Sequence, residues 1–161
     1  MAEWSLLGEQ TLSGTADVLE VAGFDAKSYL YVQASLIQSS STIDTNLTVN
    51  SDTSSNYSFR YSLNGTSSTG TVENTTSFAT GGDPTSSFLT FNISNIDGKE
   101  KLIMLNKVDG GTASGASNAP ERTQRFGKWI TTSGQITTIT LTNAGAGTYA
   151  SSSNLTIFGT D

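Results

Sequence analysis

Tyr29-Leu30-Tyr31-Val32-Gln33-Ala34-Ser35-Leu36, within residues 28–37, alternates without interruption. Leu30, Val32, Ala34 and Leu36 fall on one side, and Tyr29, Tyr31, Gln33 and Ser35 on the other. In an extended chain successive side chains point to opposite faces, so a period of two specifies a strand with one face buried and one wet. A helix would scatter the same apolar set around its circumference.

The same period recurs outward from this segment. Tyr57, Phe59, Tyr61 and Leu63 alternate against Ser58, Arg60 and Ser62, and Asn64-Gly65 follows at once as a hairpin-turn signal. Leu89, Phe91 and Ile93 alternate against Phe88, Thr90 and Asn92, and Asn95-Ile96-Asp97-Gly98 then turns the chain into a strand over 101–108. Further strands are expected at 4–12, 16–21, around Leu47 and Val49, at 136–142 and at 154–158. The polar stretch 64–87 has weak strand potential around Val72 and Phe78 and ends in a turn cluster, Gly81-Gly82-Asp83-Pro84. Nine to eleven short strands at this spacing predict an all-β fold, an antiparallel two-sheet sandwich. Residues 1–161 read as a single sandwich domain, a usual size for one core.

Composition narrows the chemistry. Ser and Thr make up roughly three residues in ten, well above ordinary usage, which gives hydroxyl-rich outer faces and polar loops. The chain has no Cys, so packing, ladders and subunit contacts must supply its stability. Nor does it have His, which removes the commonest general base and transition-metal ligand together. Ser–His and Cys–His nucleophiles are therefore excluded. Carboxylate-pair glycoside hydrolysis needs only two acids, but the fourteen Asp and Glu are scattered, mostly beside turn residues. No catalytic residue, metal site or cofactor is expected, and the protein is not expected to be an enzyme. Asn95-Ile96-Asp97-Gly98-Lys99-Glu100 echoes the start of a calcium loop, but it lacks the later carboxylates and carries Lys99, so it reads as a turn.

A net charge of −6 disfavours nucleic acid as a partner. No apolar run is long enough for a membrane-spanning helix. Met1-Ala2-Glu3-Trp4-Ser5 has neither a basic nor an apolar leader region, so no signal peptide is expected. The Gly/Ser/Ala-rich stretch 109–119 holds no large apolar group and reads as a loop or an arm that orders against a partner. Residues 120–130 form the one basic cluster with interleaved aromatics. On a strand, Phe126 and Trp129 point to opposite faces, as do Arg122 and Arg125, so a stacking surface for nucleic acid is not formed. The segment reads first as an ordinary strand and second as a protein contact, because Arg and Trp favour interfaces; with the arm, and with Trp4, which reads equally as core, the candidate interface residues are Trp4, Gly110, Gly111, Arg122, Arg125 and Trp129.

Two stretches go further. Residues 49–65, Val49-Asn50-Ser51-Asp52-Thr53-Ser54-Ser55-Asn56-Tyr57-Ser58-Phe59-Arg60-Tyr61-Ser62-Leu63-Asn64-Gly65, resemble the central hairpin of small virion structural proteins of tailed bacterial and archaeal viruses, many of them marine. Residues 127–159, from Gly127-Lys128-Trp129 through Gln135-Ile136-Thr137 and Asn143-Ala144-Gly145 to Phe158-Gly159, are similar to the end of the same group. The resemblance implies a jelly-roll sandwich that decorates a capsid or forms part of a fibre or tail. It brings no catalytic residues.

The expected function is thus a non-enzymatic virion structural protein, a capsid decoration or cement protein made in the host cytoplasm and residing on the virion surface. Its expected partners are the major capsid protein and further copies of itself, a homotrimer being suited to threefold capsid positions. The alternative is a fibre or tail-associated module for a glycan receptor, with Tyr57, Tyr61 and Trp129 as its aromatics. The all-β reading predicts a far-ultraviolet circular dichroism spectrum of β type; a helix-dominated spectrum contradicts it.

Overall fold

The computed structural model describes residues 3–66, 70–83, 85–111 and 115–161. Among them the regular structure is entirely strand. In chain order these are β1 (Ser5–Thr11), β2 (Val18–Ala22), β3 (Tyr29–Leu36), β4 (Ile43–Val49), β5 (Tyr57–Leu63) and β6 (Gly70–Thr75), followed by β7 (Phe78–Asp83), β8 (Ser87–Ser94), β9 (Lys101–Asp109), β10 (Glu121–Trp129), β11 (Thr138–Asn143) and β12 (Asn154–Thr160). Twelve strands among the described residues replace the nine to eleven expected: the weak potential around Val72 and Phe78 becomes two edge strands, β6 and β7, and the basic segment 120–130 adds β10. Edge strands need one partner only, so weak apolar patterning suffices there.

The strands form two antiparallel sheets. The larger runs β1-β12-β3-β8-β9-β10-β5-β6 and the smaller β2-β11-β4-β7. The winding becomes plain when β8, β9 and β10 are treated as one meander. The units β2, β3, β4, β5, β6, β7, meander and β11 are then eight in chain order. The first, eighth, third and sixth lie side by side in the small sheet, and the second, seventh, fourth and fifth in the large one. That interleaving is consistent with the jelly roll, in which two Greek keys share a core. β1 and β12 extend the large sheet beside β3.

Alternation places the core. Leu30, Val32, Ala34 and Leu36 are all buried, as are Leu89, Phe91 and Ile93 opposite them, meeting Leu47, Val49, Ile139 and Leu141 of the small sheet in one cluster. The turn expected at Gly81-Gly82-Asp83-Pro84 begins instead as strand: Gly81, Gly82 and Asp83 pair with Thr45, Asp44 and Ile43, while Pro84 lies outside the described residues. A register shift between Thr45 and Asn46 accommodates the bulge, and Gly81 takes φ +96, which a side chain rarely adopts. The Asn64-Gly65 turn forms as expected, with φ 49 and 78, closed by Thr66 N–H donating to the Leu63 carbonyl at 2.9 Å.

Polar side chains pin the ends of the sandwich, and residues 50–57 of the expected hairpin motif, here a corner that carries the chain from β4 in the small sheet to β5 in the large one, do most of this. Asn50 Oδ1 accepts from the N–H groups of Thr137 and Thr138 at 2.9 and 3.1 Å. Asp52 accepts from Ser54 N–H at 2.8 Å, Asn56 Nδ2 at 2.8 Å and Trp129 Nε1 at 2.6 Å, tying the β4–β5 corner to the end of β10. Tyr57 Oη donates to the Asp52 carbonyl at 2.9 Å and accepts from Val49 N–H at 3.0 Å; burial pushes this phenol up to about 12. Asn95 and Asn143 act likewise. Asn95 joins the β8–β9 turn to Ile136 and Lys27, and Asn143 accepts from Asp44 and Gly145 N–H, both at 2.9 Å. These amides satisfy backbone groups where the ladders stop.

Burial opposes ionisation of Asp52, but the hydrogen bonds from Asn56, Trp129 and Ser54 outweigh it and hold the carboxyl below its ordinary value. A lowered folded value means stabilisation present above the unfolded value of about 3.9 and lost as pH falls through the lower folded one. Asp52→Asn is expected to lower stability at neutral pH by about 1–3 kcal/mol, with the gap to the parent closing in strong acid, as read by urea denaturation across pH. A second test concerns Gly127, whose position for a Cβ is filled by the Ser58 carbonyl oxygen, Phe59 Cβ at 2.6 Å and Phe78 Cε2 at 2.6 Å. Gly127→Ala should cost about 1–3 kcal/mol, whereas Gly14→Ala, with nothing within 4 Å, should be close to neutral in the same denaturation series.

Candidate functional site

The structure separates the six expected interface residues. Trp129 is 3% exposed and Arg125 8%, so neither is presented to a partner. The reason is parity: Thr123, Arg125, Gly127 and Trp129 all point inward from β10. The Arg125 guanidinium lies over the rings of Phe59 and Tyr61, 5.0 and 4.9 Å from their centroids, so an apolar interior takes it in by stacking. Nearby, Lys107 Nζ stands 3.7 Å from Asp109 Oδ2, and Asp109 Oδ1 accepts from Gly111 N–H at 2.9 Å. Asp109, the first residue of the expected arm, is thus a buried end of β9. Gly110 is exposed but bonded to Thr85 Oγ1 at 3.0 Å, and Gly111 is buried. Residues 112–114 of the arm lie outside the described residues.

Trp4 and Arg122 remain on the surface. Trp4 precedes β1, is 50% exposed and meets Tyr31 edge-on at 6.4 Å. Arg122 is exposed on β10, where its N–H donates to Asn64 Oδ1 at 3.0 Å.

These two residues border a feature that strand-by-strand reading missed, the outer face of the large sheet. Register aligns its outward side chains in rows across strands. One row runs Leu6 (β1), Phe158 (β12), Tyr31 (β3), Asn92 (β8), Met104 (β9) and Phe126 (β10). Leu6, Met104 and Phe126 are among the most exposed large apolar side chains, Phe126 at 51%. Beside this row Tyr29 and Leu102 border a groove of about 430 Å³ that Trp4, Met104, Asn92 and Thr160 also line. On the other side come a polar row, Thr156, Gln33, Thr90, Asn106 and Gln124, and a mixed one containing Phe88 and Val108.

Charge is excluded from the middle of this face. The outward positions of β12, β3, β8 and β9 are Asn, Thr, Phe, Tyr, Gln, Ser, Leu, Met and Val, with no Asp, Glu, Lys or Arg among them. Charges return at the flanks, with Arg60, Arg122 and Lys128 on β5 and β10 and Glu9 on β1. Lys128 meets Glu100 at 2.9 Å. A contiguous apolar patch on a sheet face is the usual mark of a contact surface, whereas isolated exposed residues such as Ile96 or Leu63 need no explanation.

Elsewhere the polar clusters are structural. In the loop at 95–100, the buried Lys101 ammonium donates to the carbonyls of Ile96 and Lys99 at 3.0 and 2.6 Å. A cationic side chain thus occupies the oxygen cluster of the calcium-like segment; burial holds its pKa below the ordinary value, against the pull of Asp97. No group of three or more Asp and Glu able to hold a metal ion occurs among the described residues. Tyr57 and Trp129, two aromatics of the glycan alternative, are buried with their polar atoms bonded at the Asp52 corner, and Tyr61 is half-buried against Arg125. In comparisons with known proteins, no family model matches this chain, and no curated protein or solved structure does.

Proposed function

We propose that the protein is a non-enzymatic structural module of a virion surface, a capsid decoration or cement protein that works by contact. The observation that carries this reading is the outer face of the large sheet, free of charge across β12, β3, β8 and β9, with a mostly apolar row from Leu6 to Phe126. It is supported by the two-sheet sandwich, by a hairpin motif whose polar residues are committed to holding the fold, and by the resemblance at 49–65 and 127–159. Its partners in this reading are the major capsid protein and further copies of the chain.

Such a protein acts as a ligand of the assembled lattice. Whatever binds only the assembled state stabilises it by mass action, by about 2.7 kcal/mol per site when free protein exceeds Kd about a hundredfold. A face whose middle is uncharged suits protein contact, with the capsid protein or with a further copy, because its desolvation costs little beyond that of amides and hydroxyls that can pair across the contact.

Particles stripped of the protein are expected to lose heat resistance and to regain it when the purified protein is added back. Unchanged resistance removes the cement role, and absence of the protein from purified particles removes the virion reading altogether. A glycan array should be blank.

A further inference from the structure

We infer that the outer face of the eight-stranded sheet pairs with the same face of a second copy of this chain, across a twofold axis parallel to the strands between β8 and β9. The inference rests on the reading of the protein as a contact module and names the partner. Facing sheets pack about 10 Å apart with strands roughly aligned. Under this axis β8 lies over β9 of the second copy, β3 over β10, and β12 over β5. Phe126 then covers Tyr31 of the other copy and Val108 covers Phe88, an apolar pair in each of two rows, while Met104 falls over Asn92 and Arg122 over Ser35. Between them the amide and hydroxyl row, with Asn106 over Thr90 and Gln124 over Gln33, meets its like and can exchange hydrogen bonds.

Charge complementarity favours a second copy over an unrelated surface. The two flanks of the face carry opposite signs, and the twofold lays each flank on the other. Arg60 falls over Phe158 of the second copy, where a guanidinium can sit against the ring. Glu9 of that copy stands one strand and one row from Phe158, which with the sheet spacing leaves about 13 Å between the Arg60 and Glu9 backbones, a span that the two long side chains can bridge. Glu73 on β6, an outward acid of the cationic flank, lies by Ser58 and Lys128, away from the row that holds Glu9. The size also fits: six strands about 4.8 Å apart and seven to nine residues long present on the order of 700 Å², near the ~800 Å² per partner of a standard interface. The pairing is twofold, whereas capsid geometry alone led to the expectation of a trimer.

Light scattering on the full chain tests the pairing, with Met104→Glu and Phe126→Glu as variants. The parent should show twice 16.9 kDa, and each variant should dissociate at least about tenfold more readily while keeping the parent melting midpoint when dilute. Arg60→Glu should weaken the pair, and Glu9→Arg added to it should restore association. If either apolar variant fails to fold, Thr90→Arg in the polar row carries the same test. A parent that stays monomeric at every concentration, or an oligomer whose mass ignores these substitutions, overturns the pairing. A monomer that binds particles overturns the pairing but keeps the proposed function, and a dimer absent from particles does the reverse.

Discussion

The structure depends on one layer of apolar side chains held between two sheets of unequal size. Inward residues of β3, β8 and β9 meet those of β4 and β11, and each of these five strands is hydrogen-bonded to a neighbour on both sides. Burial of this layer is the main favourable term available to a chain with neither disulfide nor metal-ligating thiol. The unpaired ends are the weak points, because a buried N–H or C=O left without a partner costs about as much as several methylene groups contribute. Asn50, Asp52, Asn95 and Asn143 close those ends with side-chain hydrogen bonds. A sequence rich in Asn, Ser and Thr is thus suited to a sandwich with many corners.

Much of this was legible before any coordinates. Strands whose inward positions are all aliphatic or aromatic, such as β3 and β8, declare both their extent and their parity. β10 could not be read that way. Its inward positions are Thr123, Arg125, Gly127 and Trp129, while the outward ones include Phe126, so hydrophobicity gives no consistent phase. The rings of Phe59 and Tyr61, on a strand distant in sequence, help take Arg125 inside, and Ser58, Phe59 and Phe78, equally distant, leave room only for glycine at residue 127. The same long-range dependence left only weak signals for β6 and β7 around Val72 and Phe78, whose short polar segments become strands because β5 and β4 offer them a ladder.

The outer face was illegible for a different reason. Apart from β9, with Leu102, Met104 and Val108, no strand shows more than two exposed large apolar residues, which is ordinary for a protein surface. The face emerges when register places Leu6, Phe158, Tyr31, Met104 and Phe126 in one line, a relation spanning more than a hundred residues of sequence. The exclusion of charge from the outward positions of four adjacent strands, in a chain of net charge −6, is equally a property of the assembled sheet. An exposed surface of this kind invites aggregation unless something covers it, and its alternation of apolar and amide rows gives any cover a definite register.

The central claim is that this face is a contact surface in the working state of the protein. Side-chain oxidation by hydroxyl radicals, compared between dilute protein and its assembled form, measures that directly. The account predicts protection of Met104, Phe126 and Tyr31 on assembly, with Ile96 and Leu63, exposed away from the face, labelled equally in both states. Equal labelling of Met104 in the two states would contradict it.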